Sequence, residues 1–214
     1  MQRLHSLRER FIRATLKGVD RWEALHKISG HATLIDAHTV EVNGQAYQAK
    51  SFIIAVGSRP NIDKTFKEEL GDKYLTSDEI FELSQLPKSL AVIGSGVIAI
   101  ELAQAIQRLG VDTTLFARSQ KVGALTSPAL QKLAQEQLSK ELNIKFKILP
   151  DQVKKQAGHI QINFTENDQA QTIQVEYILG ATGRQTNLDR LGLNQLDPNF
   201  ADIKKLPINK KTKQ

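Results

Sequence analysis

Residues 91–110 read AVIGSGVIAIELAQAIQRLG, and they contain the strongest indication of the fold. It places the pattern Gly94-x-Gly96-x-x-Ala99 directly after an apolar run and directly before a segment with helical periodicity. A strand, a glycine-rich turn and a helix in this order predict a unit that binds a dinucleotide. The alternative interpretation is a tight turn between a strand and a helix that binds no ligand.

The small residues of this turn each have a physical role in dinucleotide binding. Gly94 permits the sharp exit from the strand, Gly96 lets a pyrophosphate approach the backbone, and Ala99 lets the helix pack closely on the strand. The free N–H groups at the helix start carry about half a positive charge and point at the phosphates. The candidate nucleotide-binding residues are therefore Gly94, Ser95, Gly96, Val97, Ile98 and Ala99.

The following strand ends in TTLFARSQK, residues 113–121. A site for NAD usually has an acidic residue near this position, which binds the ribose 2′-hydroxyl. Here Ala117 stands near it, with Arg118 and Lys121 close by. Because an arginine can bind a 2′-phosphate through a charge-assisted hydrogen bond, we expect NADP rather than NAD, with Arg118 and Ser119 in the site. The alternative is a surface arginine on a loop.

Outward from the turn, predicted strands alternate with predicted helices, which indicates an α/β fold with a parallel, right-handed sheet. A strand-rich excursion over residues 152–174 interrupts the alternation. Ser77, three residues before Ile80, suggests a short capped helix. The predicted strands are Leu90 to Ile93, Thr113 to Ala117, Ile144 to Leu149 and Val175 to Ala181, and the predicted helices are Val97 to Leu109 and Pro128 to Leu138.

The first sixty residues have a different pattern. Apolar residues at helical spacing predict a helix over residues 2–27, which Gly30 ends. An antiparallel meander follows, because Asn43-Gly44 is a strong hairpin signal. The apolar run Phe52 to Val56 predicts a buried strand. The strands of the meander are predicted at Thr33 to Ile35, Thr39 to Val42 and Gln45 to Gln48.

The composition excludes several classes of protein. The chain has 214 residues, a net charge of +6 and no cysteine, so it contains neither disulfides nor thiolate metal sites. Its five histidines lack metal-ligand spacing. The basic residues read as a solvated helix face and a basic tail, so we expect no nucleic-acid partner. No apolar stretch approaches the ~20 residues of a membrane span. The start does not resemble a signal peptide, so we expect a cytoplasmic location and no membrane partner.

Four segments, in order, resemble the pyridine nucleotide–disulfide oxidoreductases, the family of dihydrolipoamide dehydrogenase and glutathione reductase. The TSDEIFELSQLPKSLAVIG stretch, residues 76–94, is most similar to the dihydrolipoamide dehydrogenase branch. Val56 and Thr186 depart from the family pattern, which has threonine and proline there. The four segments are Gly30-His31-Ala32, SFIIAVGSRP at 51–60, GSGVIAIELA at 94–103 and ILGATGRQTN at 178–187.

The resemblance implies roles for individual residues. The backbone of Gly30, His31 and Ala32 would lie near the adenine of FAD, and Gly183 would lie near the nicotinamide nucleotide. Glu101 matches a family glutamate near the flavin, although it could be only a solvated helix residue. The glycines of these segments could also be simple turns after strands. Residues implied to line the FAD domain are Ala55, Val56, Gly57 and Ser58.

The resemblance also implies the domain organisation. Residues 1–75 would be an incomplete FAD-domain portion of helix and meander, residues 76–182 a Rossmann-type NAD(P)-binding domain, and residues 183–214 a return segment toward the FAD domain. The family's redox cysteine pair, first FAD fingerprint and dimerisation domain have no match in this chain. We therefore expect the nicotinamide-binding part of an FAD-dependent, homodimeric disulfide oxidoreductase, inactive and without flavin by itself. Alternatives are a stand-alone NAD(P)-binding module and a same-fold flavoenzyme that reduces a different acceptor.

Overall fold

The computed structural model describes residues 1–209 and 211, which form two compact units. Met1–Glu9 and Pro60–Arg184 make up the first, which we call the sheet unit. Arg10–Arg59 and Gln185–Gln214 make up the second, which we call the meander unit. The basic tail falls partly outside the described residues.

The helices and strands have the following bounds in the described part of the chain. The α-helices are α1 Gln2–Asp20, α2 Lys64–Leu70, α3 Val97–Arg108 and α4 Pro128–Leu138. The first seven strands are β1 Ala32–Leu34, β2 Thr39–Val42, β3 Gln45–Gln48, β4 Ser58–Pro60, β5 Tyr74–Thr76, β6 Ser89–Ile93 and β7 Asp112–Ala117. The others are β8 Asn143–Phe146, β9 Gln152–Lys155, β10 Ile160–Glu166, β11 Gln169–Val175, β12 Tyr177–Gly180 and β13 Arg184–Thr186.

The sheet unit is built on a five-stranded sheet with the order β5-β12-β6-β7-β8. All four pairings in it are parallel. Strand β6 is at the centre, and it is apolar on both faces because both faces are covered. Leu90 and Val92 pack with α3 on one face, whereas Ala91 and Ile93 pack on the opposite face. The predicted parallel α/β architecture is therefore confirmed.

The face of the sheet opposite α3 is covered by α2 and by an antiparallel sheet of order β11-β10-β9. Ile160, Ile162 and Phe164 of β10 are buried against the parallel sheet. Phe164 meets Phe116 of β7 edge to face, with ring centroids 5.2 Å apart. The strand-rich segment predicted at residues 152–174 thus forms a second layer that packs on the parallel sheet.

The meander unit contains the antiparallel sheet β1-β2-β3 and 3-10 turns of the C-terminal segment. Asn43 and Gly44 have φ of 53° and 77°, as a tight hairpin turn requires. Its small core contains Leu34, Leu191 and Leu193, and the Leu34 amide donates to the Leu191 carbonyl at 2.9 Å. The three predicted strands of the meander are confirmed within about one residue.

The first helix ends earlier than predicted. The helix over residues 2–27 is wrong beyond Asp20, because the Trp22 amide turns back to the Val19 carbonyl and a separate 3-10 helix follows at Ala24–His26. None of the 19 residues of α1 is buried, and Phe11 is 73% exposed. Without buried apolar residues, the helical periodicity alone does not extend the helix.

The buried strand predicted at Phe52 to Val56 is also wrong. In the described structure, residues 51–57 belong to no sheet, and Ile53 is 97% exposed. A strand needs a neighbour that pairs with its N–H and C=O groups, and an apolar run cannot supply that neighbour by itself. The run is apolar enough for a strand interior but is left at the surface of the meander unit.

Three smaller differences affect the sheet unit. The helix predicted near Ser77 is a 3-10 helix at Glu79–Glu82, and the Glu79 carboxylate rather than Ser77 binds the Thr76 amide at 2.9 Å. Strand β8 ends at Phe146 because Lys147 has a φ of 59°. Strand β12 is shorter than predicted, since Val175 belongs to β11.

The compact units divide at other positions than the predicted domains. Strand β5 pairs with β12, so residues 60–75 belong to the sheet unit rather than to the meander. The chain passes between units within α1, within β4 and within β13. Within the described residues, the helices lack the combination of length and apolar character that a membrane span requires.

Candidate functional site

A cleft of about 730 Å³ opens where the parallel strands of the sheet unit end. Its walls come from the glycine turn after β6, from Arg118 after β7 and from residues 180–184 at the end of β12. Asp63 and Phe66, at the start of α2, form a further wall. A crevice outside the carboxyl ends of an open α/β sheet is the general location of ligand sites in such folds.

Gly94 is required by the packing of the protein itself. Its φ is 134°, and a Cβ built on it would lie 2.4 Å from the Ala181 carbonyl oxygen. Ala99 is fully buried, and that Cβ would also meet its side chain at 3.5 Å. The Ala181 amide donates to the Ile93 carbonyl at 2.9 Å, which holds the ends of β12 and β6 together. Gly94 and Ala99 therefore allow two loops to meet at the cleft floor.

Gly96 is different, because the protein does not need a glycine there. Its φ is −71°, which any residue adopts, and a Cβ would meet no protein atom within 4 Å. Gly96 is exposed, lines the cleft and is the N-cap of α3. It has no side chain to bind the first N–H groups of α3, which also have no partner within the helix. The bare backbone at this position fits a phosphate group that approaches it from the cleft.

The other residues of the turn differ in their exposure and in their contacts with the cleft. The Ser95 carbonyl accepts the Gly123 amide at 2.8 Å, so the backbone of the turn is fixed. Val97 and Ile98 line the cleft and are 47% and 38% exposed, respectively. Glu101 lies one turn further along α3, where it is exposed and outside the cleft lining. The structure thus brings five of the six predicted turn residues into the cleft wall, with Ala99 buried beneath them.

The end of β7 marks a change from buried to exposed residues. Ala117 is fully buried, whereas Arg118 is exposed and lines the cleft. Ser119 is half-buried, and its hydroxyl accepts the Lys121 amide at 3.2 Å, which turns the loop. The structure therefore places Arg118 in the cleft lining and Ser119 outside it.

The loop after β12 carries two further groups of the cleft. The Gly183 carbonyl accepts the Asn61 amide at 3.0 Å, and Gly183 has a φ of 125°. The Arg184 guanidinium donates to the Ser77 hydroxyl at 3.0 Å and to the Asp78 carboxylate at 3.2 Å. An ion pair that involves a cleft-lining arginine therefore closes this edge of the site.

Sequence reasoning missed the wall contributed by α2. The Asp63 carboxylate accepts the Phe66 amide at 3.1 Å and so caps the helix. An aspartate followed by Phe66 and Leu70 at helical spacing is a signal that could have identified α2. No comparable sequence signal marks the cleft residues Leu149 and Pro150, which follow β8. In the described residues, no three carboxylate or imidazole groups converge as a possible metal site.

The residues implied to contact FAD belong to the meander unit. A Cβ at Gly30 would lie 2.6 Å from Val42 Cγ1, so the close approach to the hairpin requires glycine there. The His31 ring Nε2 contacts the Arg190 carbonyl at 2.9 Å. Ala32 begins β1. These contacts fix the segment's backbone against the small core of the unit.

The second such segment, Ala55 to Ser58, is exposed. Asn187 holds it twice, since its backbone amide donates to the Gly57 carbonyl at 3.1 Å and its side chain donates to the Val56 carbonyl at 2.9 Å. Arg59 and Asp189 form an ion pair at 2.5 Å. The Arg59 hydrogen bond holds the pKa of the Asp189 carboxyl below its usual value. The two segments that resemble the family's ATG motifs therefore meet at Asn187.

Comparison with known proteins identifies a family that the chain matches. A family model described as pyridine nucleotide-disulphide oxidoreductase matches residues 10–212. The chain is 37% identical over 167 residues to a mercuric reductase of Staphylococcus aureus, covering 78% of this chain and 30% of that protein. It is 35% identical over 210 residues to a glutathione reductase of a Nostoc strain, covering 91% of this chain and 44% of that protein.

The fold also resembles that of a solved structure, the HOCl-induced flavoprotein disulfide reductase RclA from Escherichia coli. The TM-score is 0.65 at 19% identity, and the match covers 79% of this chain and 38% of that chain. At this identity the likeness concerns the fold alone. The chain spans less than half the length of each of these proteins.

Proposed function

This chain belongs to the pyridine nucleotide-disulphide oxidoreductase family, and we propose that its sheet unit binds the nicotinamide coenzyme of an FAD-dependent oxidoreductase. The proposal depends on the surroundings of Gly96. This residue is exposed at the cleft, has ordinary backbone angles and leaves open space where a Cβ would be. Since the protein's own packing permits a larger residue there, the approach of a ligand to the backbone is the reason for the glycine.

Different residues of the cleft contact different parts of the dinucleotide. The amides at the start of α3 hold the pyrophosphate, because helix N-terminal N–H groups favour negative charge. Gly183 and its loop line the side toward β12, and Gly94 keeps that loop against the floor. A nicotinamide coenzyme held by these residues would supply the chemistry of hydride transfer to or from a flavin. The protein's part is to orient the coenzyme and exclude water around it.

We also propose that the preferred coenzyme is NADP. Arg118 is the first exposed residue after β7 and lines the cleft, at the position where an NAD site usually has an acid. A guanidinium binds a phosphate through short, charge-assisted hydrogen bonds. An acidic residue there would instead repel a 2′-phosphate. Arg118 is therefore proposed as the ligand of the 2′-phosphate on the adenosine ribose.

The meander unit is proposed to contribute to the FAD site. Two segments support this proposal, Gly30-His31-Ala32 and Ala55 to Ser58, which carry the family-like sequences and expose backbone at their ends. Gly57 has a φ of 66°, and a Cβ on it would meet no protein atom within 4 Å, so its surface is open to a cofactor. Flavin retention by this chain alone, homodimerisation and a cytoplasmic location stay predictions.

For the whole protein we propose electron exchange between the flavin and a disulfide, as in a dihydrolipoamide dehydrogenase-like enzyme. The chain itself has no cysteine, so the chain described here does not supply the redox pair. A second candidate acceptor is a metal ion, which the 37% identity to a mercuric reductase favours. A disulfide-reduction assay and a mercuric-ion reduction assay on the full protein distinguish the two.

Titration of NADPH and NADH against the wild type and Gly96→Ala tests coenzyme binding. We expect the added methyl group to weaken binding at least tenfold, on the order of 1.4 kcal/mol, because it occupies the path of the pyrophosphate. The unfolding temperature without ligand should fall only slightly, since the methyl group meets no protein atom and the cost is limited to the weaker preference of alanine for an N-cap position. Gly18→Ala, which adds the same group at another open position, is the matched control. Equal affinity of Gly96→Ala and wild type would refute the proposal.

Arg118→Glu tests the coenzyme preference. The ratio of the NADPH and NADH dissociation constants should shift at least tenfold toward NADH, because the new carboxylate repels the 2′-phosphate. Lys132→Glu, the same charge reversal on α4, should leave the ratio unchanged. An unchanged ratio in Arg118→Glu contradicts the assignment of NADP to this arginine, whereas coenzyme binding itself would still stand.

A further inference from the structure

Tyr74, at the start of β5, is a buried residue that contacts the cleft wall from behind. It is 1% exposed, and its hydroxyl accepts the Asp63 amide at 3.2 Å. Its ring meets the Phe66 ring edge to face, with centroids 6.5 Å apart. Asp63 and Phe66 both line the cleft. One side chain therefore holds two residues of the α2 wall by two different interactions.

Gly180 provides the space that this arrangement needs. A Cβ built on Gly180 would lie 1.9 Å from the Tyr74 hydroxyl oxygen, so any larger residue would displace the tyrosine. Gly180 is the last residue of β12 and itself lines the cleft. The hydroxyl therefore fills a gap between β12 and the start of α2, and it sets the distance between these two sides of the site.

Other contacts hold Tyr74 in place. The Lys67 ammonium donates to the Tyr74 carbonyl at 3.1 Å and pairs with the Glu79 carboxylate at 3.4 Å. Burial raises the pKa of the Tyr74 hydroxyl above its ordinary value of 10.0. The hydroxyl therefore stays neutral at the pH of any ordinary enzyme assay. A neutral, fixed hydroxyl is suited to positioning neighbouring groups.

The sheet order indicates which half of the coenzyme this wall faces. The glycine turn follows the central strand β6, with β7 on one side and β12 and β5 on the other. A pyrophosphate at the turn and a 2′-phosphate at Arg118 direct the adenosine half toward β7. The nicotinamide half must then extend in the opposite direction, over β12 and β5. That is the side on which Gly180 and Tyr74 lie.

We propose that Tyr74 is a positioning residue that fixes the α2 wall against the nicotinamide half of the coenzyme and so determines affinity for that half. The inference rests on the proposed function. It assigns no chemical step to Tyr74, which acts through Asp63 and Phe66. The adenosine half, which lies beyond the glycine turn, does not depend on it.

The test compares Tyr74→Phe with wild type, using two pairs of probes. NADPH is paired with 2′-phospho-ADP-ribose and NADH with ADP-ribose, because each second compound lacks only the nicotinamide. Loss of one hydrogen bond predicts a roughly threefold to tenfold weaker binding of the complete coenzyme. The truncated compounds should bind with less than about a twofold change. Tyr177→Phe, the same change at the opposite end of β12, should affect neither probe.

A second variant tests the ring contact of Tyr74 instead of its hydroxyl hydrogen bond. Phe66→Leu removes the ring that Tyr74 packs against, and we expect the same selective weakening of the complete coenzyme. If wild type binds neither complete nor truncated compounds, the proposed function itself fails. If wild type binds them but Tyr74→Phe weakens both kinds equally, or weakens neither, the role assigned to Tyr74 is overturned. A purely structural tyrosine would lower the unfolding temperature without changing the ratio between the probes.

Discussion

Leu90 to Ile93 and Phe52 to Val56 are both short apolar runs, but their environments in the two units are opposite. The first run is almost completely buried at the centre of the parallel sheet, with neighbours on both sides and layers on both faces. The second lies in the meander unit, where Ile53 is 97% exposed and no described neighbour pairs with it. An apolar run therefore becomes a strand only where the chain also supplies the strands and helices that cover it.

The same contrast holds for the units as wholes. The sheet unit has two clusters of buried residues, one on each face of its sheet. The meander unit has one small cluster around Leu34, and it exposes large apolar residues on α1 and on the 51–57 segment. Stability should therefore be concentrated in the sheet unit. Three matched pairs of substitutions and one single substitution test this difference, in order of decreasing expected effect.

The largest difference is expected between Phe116→Ala and Phe11→Ala. Phe116 is fully buried and packs edge to face on Phe164, so its loss should lower the free energy of unfolding by about 3–5 kcal/mol. Phe11 is 73% exposed, and its loss should cost no more than about 0.5 kcal/mol. Urea unfolding followed by circular dichroism measures both. Similar losses would show that α1 is packed in solution and would remove the contrast.

The next difference concerns two glycines with positive φ, Gly94 and Gly57. Alanine at Gly57 should cost about 1–2 kcal/mol from backbone strain alone, because its Cβ meets no atom. Alanine at Gly94 should cost about 1–3 kcal/mol more, because its Cβ lies 2.4 Å from the Ala181 carbonyl oxygen. Thermal unfolding of the two variants gives the comparison. Equal costs would mean that the Ala181 loop moves aside easily.

A smaller, pH-dependent effect is expected from Arg59 and Asp189 in the meander unit. The Arg59 hydrogen bond lowers the pKa of Asp189 below 3.8, so the folded state binds this proton more weakly than the unfolded state does. The ion pair therefore stabilises the folded meander unit at pH values above 3.8, the ordinary pKa of the aspartate. This stabilisation is lost as the pH falls through the lower pKa of Asp189 in the folded state. Asp189→Asn should make the stability of this unit less sensitive to acid.

Hydrogen exchange of the β1–β3 amides between about pH 5 and about pH 3 measures this effect, after correction for the intrinsic rate. Asp168→Asn, at the turn after β10 in the sheet unit, is the control for the loss of one negative charge. If Asp189→Asn keeps the full acid sensitivity of wild type, the ion pair does not contribute to the stability of the meander unit.

The smallest effect on stability is expected from Ile53→Ser. The side chain is almost fully exposed, so the free energy of unfolding should change by no more than about 0.5 kcal/mol. Concentration-dependent association should nevertheless decrease, because an exposed apolar segment favours self-association. Light scattering over a range of concentrations measures this. A large loss of stability in Ile53→Ser would show that residue 53 is buried in solution.

The sequence predicted the centre of the sheet unit well and its borders poorly. The bounds of β6, α3, β7 and α4 agree closely with the predictions, because each is marked by local signals such as glycine turns and a proline at the helix start. Strand β5 and helix α2 were not predicted as such, since three residues of an edge strand and seven of a helix carry little periodicity. The ends of α1 and the state of residues 51–57 depend on packing partners rather than on local sequence.

The candidate site was predictable to the same extent. The glycine turn and Arg118 were identified because their spacing along the chain is fixed by one strand and one helix. Asp63, Phe66 and Ser77 reach the cleft only through the tertiary fold, and nothing in their spacing relates them to Gly94. The role of Tyr74 was still harder to predict. The residue is buried behind the cleft wall, and in the sequence it resembles an ordinary apolar position.

The fit of Tyr74 against Gly180 has an evolutionary consequence. With only 1.9 Å between the tyrosine oxygen and the point where a methyl group would begin, Gly180 cannot gain a side chain while the tyrosine is present. Homologous proteins with alanine or serine at the position of Gly180 should carry a smaller residue at the position of Tyr74. Correlated substitution at these two positions should therefore be detectable in a deep alignment, although the residues are over one hundred positions apart in the chain.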